Sequence, residues 1–132
     1  FVLQPRGTTG YCHRIICAQD YSAVTAACMM VKRSAFEEVG GLTEELAVAF
    51  NDIDFCMKLR TAGYLIVYNP YAELYHYESK SRGLEDTPEK VARFNKEIQI
   101  FERRWPDIMR DGDPYYNPNL TLKSQDFSLK RI

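Results

Sequence analysis

The chain has 132 residues, 45% of them hydrophobic, and 17 Lys and Arg balance 18 Asp and Glu to a net charge of −1. That length and composition support one modest domain, 1–132, with a core of its own. The near-neutral charge argues against a nucleic-acid partner, and no apolar run approaches the roughly 20 residues needed to cross a bilayer. No signal peptide is visible and the first residue is Phe1 rather than Met, so a piece of a longer protein is expected. Of the four cysteines, Cys12, Cys17, Cys28 and Cys56, two sit in apolar stretches and read as small core residues. Cys12-His13 with Cys17 hints at zinc but lacks the second ligand pair, and a reducing, cytosolic setting fits best.

Residues 1–22 read as a loop-rich lead-in, with Pro5, Arg6, Gly7, Thr8, Thr9 and Gly10 in an exposed loop. The apolar run 23–31 predicts a buried strand. A short helix follows over 34–39, with Ser34 and Glu37 as a capping box and Gly40-Gly41 as its stop. The stretch 49–63 predicts the central helix. Asn51 is its N-cap, Gly63 its stop, and Phe55, Cys56, Leu59 and Ala62 its buried face. A strand over 64–68 closes at Asn69-Pro70. A third, over 72–77, places Ala72, Leu74 and His76 on one face and Glu73, Tyr75 and Tyr77 on the other. After a polar loop over 78–86, Thr87 caps a long helix that has Pro88 at its first position. Val91, Phe94, Ile98, Phe101 and Trp105 make its apolar stripe, which reads as packing rather than a cofactor site. The core is thus expected over 23–105, and 106–132 as an extended tail with little core of its own.

Asp52 lies one turn before Cys56, at the N-terminal end of the buried face, so its carboxylate points along the core edge. The positive end of the helix dipole helps keep it ionised. Asp54 points elsewhere. Two readings stand side by side. In one, Asn51, Asp52 and Asp54 only cap a helix. In the other, Asp52 is a general base at the rim of a cleft. His76 likewise reads either as a satisfied core histidine or as a ligand, and the loop with Ser79, Ser81, Arg82 and Gly83 as a solvated turn or an anion clamp.

Four stretches carry a family likeness: Val24-Thr25-Ala26-Ala27-Cys28-Met29-Met30-Val31-Lys32-Arg33, Phe36-Glu37-Glu38-Val39-Gly40-Gly41-Leu42, Phe50-Asn51-Asp52-Ile53-Asp54-Phe55-Cys56 and Leu59-Arg60-x-Ala62-Gly63-Tyr64. With Tyr75-His76-Tyr77-Glu78-Ser79-x-Ser81-Arg82-Gly83 and Asp113-Pro114-Tyr115-Tyr116-Asn117-Pro118, their order resembles the C-terminal half of a family 2 glycosyltransferase. The bacterial subgroup concerned makes cell-surface polysaccharides, including rhamnan-type chains.

The resemblance implies an α/β fold, the acceptor-side portion of a GT-A nucleotide-diphospho-sugar transferase with a mixed sheet and flanking helices. It implies transfer of a sugar, with inversion, from a nucleotide-sugar donor to a saccharide acceptor. The family's Glu-Asp pair at the helix start stands here as Asn51-Asp52, which carries the role of base to Asp52. Asn51, Asp54 and Thr25 follow as acceptor-side or supporting residues. His76 resembles a metal ligand, and Arg82, Ser79 and Ser81 would hold the donor diphosphate. Mn²⁺ or Mg²⁺ is expected in the intact enzyme, with none in a fragment as the alternative. Asp52-Ile53-Asp54 is literally Asp-x-Asp, yet a helix splays those two side chains roughly 200° apart, so it does not serve as the family's metal motif. Asp111-Gly112-Asp113 lies in a polar tail and is set aside too. The donor motif is therefore expected outside this chain, and the chain alone is expected to be inactive. Location would be cytoplasmic, with a peripheral position at the inner membrane face as the alternative. Exposed strand edges and the two loop-rich ends would favour an oligomer. The rival reading is a non-catalytic folded remnant or interaction module. A hydrolase using Asp52, Asp54 and His76 is the weaker third.

Overall fold

A computed structural model describes residues 5–76, 87–124 and 126–131. In chain order, β1 is Gln19–Tyr21, α1 Arg33–Glu38, α2 Asn51–Thr61, β2 Ile66–Tyr68, α3 Pro88–Arg104 and α4 Pro106–Asp111, with single 3-10 turns at Tyr11–His13 and Ala26–Cys28. The chain is α/β, and its sheet among the described residues is one antiparallel pair, β1 with β2, rather than a mixed sheet. Gln19 faces Tyr68, Asp20 faces Val67 and Tyr21 faces Ile66.

The core gathers on α2. Phe55, Cys56, Met57 and Leu59 are buried with Ala35 of α1 and Ile66 of β2, and Val24, Met29, Val31, Trp105 and Ile108 pack around them. Acidic Asp52 and Asp54 in the first turn and basic Lys58 and Arg60 in the last complement the helix dipole. Gly63 ends the helix as expected, at φ +90°, where other residues are strained. Its N–H donates to Arg60 C=O and that of Tyr64 to Leu59 C=O, which together satisfy two of the last carbonyls. Gly41 closes α1 in the same way. A Cβ on it would meet the Phe36 ring at 2.8 Å. Thr87 caps α3 through Lys90 N–H at 3.4 Å, with Pro88 in the first turn.

Several expectations change. The run 23–31 is no strand: it turns through Ala26–Cys28 and then runs extended into α1. Residues 72–76 form no strand either and are exposed; Tyr77 lies outside the described residues. The α1 N-cap is Lys32 with no side-chain cap, so Ser34 and Glu37 make no capping box; Glu37 instead pairs with Arg33 at 2.7 Å. Ala62 is exposed, and Met57 and Asp54 join the buried set of α2 instead. Of the cysteines only Cys56 is buried; Cys12, Cys17 and Cys28 are exposed.

Both ends of the chain also carry more structure than expected. The lead-in holds β1, and the segment after Pro106 opens with α4. The tail then returns to the lead-in. Arg60 donates to Ser22 Oγ at 2.9 Å, and Ser22 Oγ donates to Asp113 at 2.5 Å. Tyr11 stacks on Phe127 with ring centres 4.6 Å apart, and Arg14 lies over both Tyr21 and Phe127.

Candidate functional site

Asp52 is half-buried and faces the Ala26–Cys28 turn. Its Oδ2 accepts the Ala26 N–H at 3.1 Å, and its Oδ1 accepts the N–H of Ile53 at 2.9 Å. Thr25 Oγ1 accepts the next amide, Ala27 N–H, at 3.4 Å. Asp52 and Thr25 therefore meet across the start of one turn, each holding one of its amides. A carboxylate offers about four lone-pair directions, so two protein donors leave Asp52 room to accept a hydroxyl proton. One turn along, Cys56 Sγ contacts Val24 C=O at 3.7 Å. Burial pushes its thiol above the usual value; the Val24 contact opposes this and the Asp52 charge adds to it. It stays a neutral packing group.

Asn51 does not cap the helix. That position is Phe50, in left-handed backbone at φ 62°, ψ 2° and with no side-chain cap bond. Its ring sits 5.5 Å from both Phe94 and Phe101 of α3. The preceding amide, Ala49 N–H, donates to Glu97 at 2.6 Å.

Asp54 points away from Asp52, as helical geometry requires, and is wholly buried. Oδ2 accepts from the Thr43 hydroxyl at 2.6 Å. Oδ1 accepts from Arg104 at 2.8 Å and from the Trp105 indole at 2.9 Å. Lys58 adds charge at 3.8 Å. Burial pushes this carboxyl up, but the hydrogen bonds from Thr43, Trp105 and Arg104, with the Arg104 charge, outweigh it and leave it below the ordinary 3.8. Asp54 is thus a structural carboxylate that ties α2 to the end of α3 and to the loop before α2.

His76 is exposed, beyond β2. Ser79, Ser81 and Arg82 lie outside the described residues. Among the described residues no three His, Cys, Asp or Glu side chains come together as a cation site. Two surface depressions stand out. One, of about 400 Å³, lies in the tail and is lined by Lys123, Ser124, Asp126, Lys130 and Arg131 among others. The other, about 300 Å³, is bounded by Glu38, Lys58, Thr61, Ala62 and Trp105. Asp52 lines neither.

The residues that position this region and that sequence reasoning passed over are Phe50, Thr43, Glu97 and Arg104. One signal was present. Glu97 falls inside the apolar stripe, three residues after Phe94 and four before Phe101, where a charged side chain is buried only with a partner.

The chain is 56% identical over 129 residues to an uncharacterized protein, y4gI, of Sinorhizobium fredii, covering 97% of this chain and 14% of that one. It is 34% identical over 113 residues to the O-antigen biosynthesis protein RfbC of Myxococcus xanthus, 86% of this chain and 8% of that protein. It is 37% identical over 78 residues to the N-acetylglucosaminyl-diphospho-decaprenol L-rhamnosyltransferase of Mycobacterium tuberculosis, 59% of this chain and 25% of that enzyme. The chain thus spans a quarter or less of the length of these relatives. No known family profile matches the chain, and no solved structure does.

Proposed function

We propose that the chain is the acceptor-side part of an inverting glycosyltransferase of family 2 and GT-A type, with Asp52 as its general base. The observation that carries this reading is the 37% identity, over 78 residues, to a protein named as a rhamnosyltransferase. The similarity to an O-antigen biosynthesis protein points the same way, toward cell-surface polysaccharide. In this reading the acceptor hydroxyl oxygen attacks the anomeric carbon of a nucleotide sugar from the face opposite the nucleotide. The bond to the diphosphate breaks and its electron pair leaves with the nucleotide. The hydroxyl proton passes to Asp52. A single displacement of this kind needs one carboxylate. The Ala26 and Ile53 amides would fix the aim of that carboxylate while leaving lone pairs free.

Donor binding would come from parts of the longer protein outside this chain, joined by Ser79, Ser81 and Arg82. A divalent cation, Mn²⁺ or Mg²⁺, would be held mainly by groups beyond the described residues, with His76 as one contributor. The setting would be the cytoplasm, at the inner face of the membrane or free of it. No described helix is long and apolar enough to cross a membrane. The rival reading is an interaction module without donor binding.

Sugar transfer by the full-length protein, assayed over a panel of nucleotide sugars with saccharide acceptors, separates the two. Transfer that Asp52→Asn cuts by roughly 10²–10⁴, the usual worth of a general base, supports the enzyme. No transfer from any donor, or an Asp52→Asn variant as active as the parent, favours the module.

A further inference from the structure

We propose that helix α3 sets the aim of the Asp52 carboxylate, with Phe50 and Glu97 as positioning residues; this rests on reading Asp52 as the base. The N-terminus of α2 is built in an uneconomical way. Its N-cap is a phenylalanine in left-handed backbone with no side-chain cap bond. Asn, Asp or Ser in ordinary extended backbone would hold a helix start better. Bulky residues rarely adopt this conformation, and it persists only where the surroundings impose it.

The surroundings here are α3. Phe94 and Phe101 take the Phe50 ring at 5.5 Å each. Between them in sequence, Glu97, 2% exposed, accepts Ala49 N–H at 2.6 Å, with the Arg93 guanidinium 4.0 Å away. Beyond Asp52, Asp54 is tied to Arg104 at the helix end. Residues 49, 50 and 54 are thus held from one helix, on both sides of residue 52. Asp52 itself faces Ala26. Turning residue 50 out of the left-handed region would rotate the first turn of α2 and draw Asp52 off that amide.

Two pairs of variants in the full-length protein test this. Glu97→Ala removes the acceptor for Ala49 N–H, and Glu97→Gln keeps one. Phe50→Ala and Phe50→Gly both remove the ring, but only glycine is at ease with a positive φ. Two readouts are taken. One is kcat against donor KM. The other is hydrogen exchange over 25–28, where the Ala26 amide reports contact with Asp52. Glu97→Ala is expected to lower kcat about 10- to 100-fold, with donor KM within about twofold, as misplacing a reacting group does. It also speeds exchange over 25–28, and Glu97→Gln restores both. Phe50→Gly keeps a kcat about fivefold above Phe50→Ala, the penalty for a side chain in left-handed backbone. Unchanged exchange over 25–28 in Glu97→Ala overturns the proposal, and so does equal loss in Ala and Gln or in Phe50→Ala and Phe50→Gly. If Glu97→Ala does not fold, the Phe50 pair decides. If the parent protein transfers no sugar, the glycosyltransferase reading falls and the exchange data alone decide whether α3 aims Asp52.

Discussion

The Trp105 indole N–H donates to Asp54 Oδ1 at 2.9 Å, across 51 positions of sequence. The same oxygen takes the Arg104 guanidinium, so the last turn of α3 and the first turn of α2 share one buried carboxylate. Removing that carboxylate leaves the indole and the Thr43 hydroxyl without their acceptor. Asp54→Ala should therefore lower stability by about 2–4 kcal/mol. Arg104→Ala should lower it by about 1 kcal/mol or less, since that side chain is 37% exposed and its attraction is screened by water. Denaturant midpoints followed by the fluorescence of Trp105, the single tryptophan of the sequence, measure both. Equal losses for the two variants would contradict the assignment of Asp54 as the hub.

The same carboxylate sets an acid limit. Its pKa in the folded chain lies below the ordinary 3.8 because of its donors, so near and below that pH the unfolded chain binds the proton more readily. The stabilisation is complete above 3.8 and is lost as pH falls through the depressed folded value. Stability against pH should bend downward in that window, and Asp54→Asn should flatten the bend. A curve of the same shape in both proteins would mean that other carboxylates govern acid unfolding.

Asp52→Asn keeps one oxygen for the Ala26 amide and gives up only the bond to its neighbour Ile53 N–H, so the fold should be little affected. In the full-length protein it should lose roughly 10²–10⁴ in rate with donor affinity nearly unchanged. His76→Ala should instead weaken metal-dependent donor binding. Kinetics over a metal titration compare the two. If both variants show the same profile, the separate roles are wrong.

The tail docks on the lead-in of the same chain. Phe127 stacks on Tyr11 and contacts Tyr116, and Arg14 bridges Tyr21 and the Tyr115 carbonyl. An aromatic pair of this kind contributes about 0.5–1.5 kcal/mol beyond its buried area. Phe127→Ala should therefore speed tryptic cleavage at Lys123 and Lys130 roughly 2- to 10-fold, leaving the α2 core intact. Unchanged cleavage would show that the contacts of Tyr115 and Asp113 hold the tail without the Phe127 ring.

Local signals determined where α1 and α2 stop and where α3 starts. Thr87-Pro88 starts α3, Gly63 stops α2, Gly40-Gly41 stop α1, and the apolar spacing of Phe55, Cys56 and Leu59 marks the face that α2 buries. Each signal acts within one or two turns, through backbone conformation or hydrogen bonds that the sequence itself specifies. The strand expected over 64–68 stands as β2 at Ile66–Tyr68, but β1 escaped such reading. It has three residues, too few for a pattern, and Gln19–Tyr21 exists as a strand because Ile66–Tyr68 lies beside it. The apolar run 23–31 looked like a strand, yet it bends where Asp52 takes the Ala26 amide and Thr25 the Ala27 amide.

The roles of the two acids were equally hidden. Asp52 and Asp54 stand in the same first turn, and nothing local says which is buried. That is decided by Arg104 and Trp105, fifty residues on, because a buried carboxylate stays ionised only where donors and positive charge converge on it. The left-handed Phe50 was decided the same way. No residue near it in sequence favours that conformation, and only the rings of Phe94 and Phe101 together with buried Glu97, brought alongside by the fold, hold it.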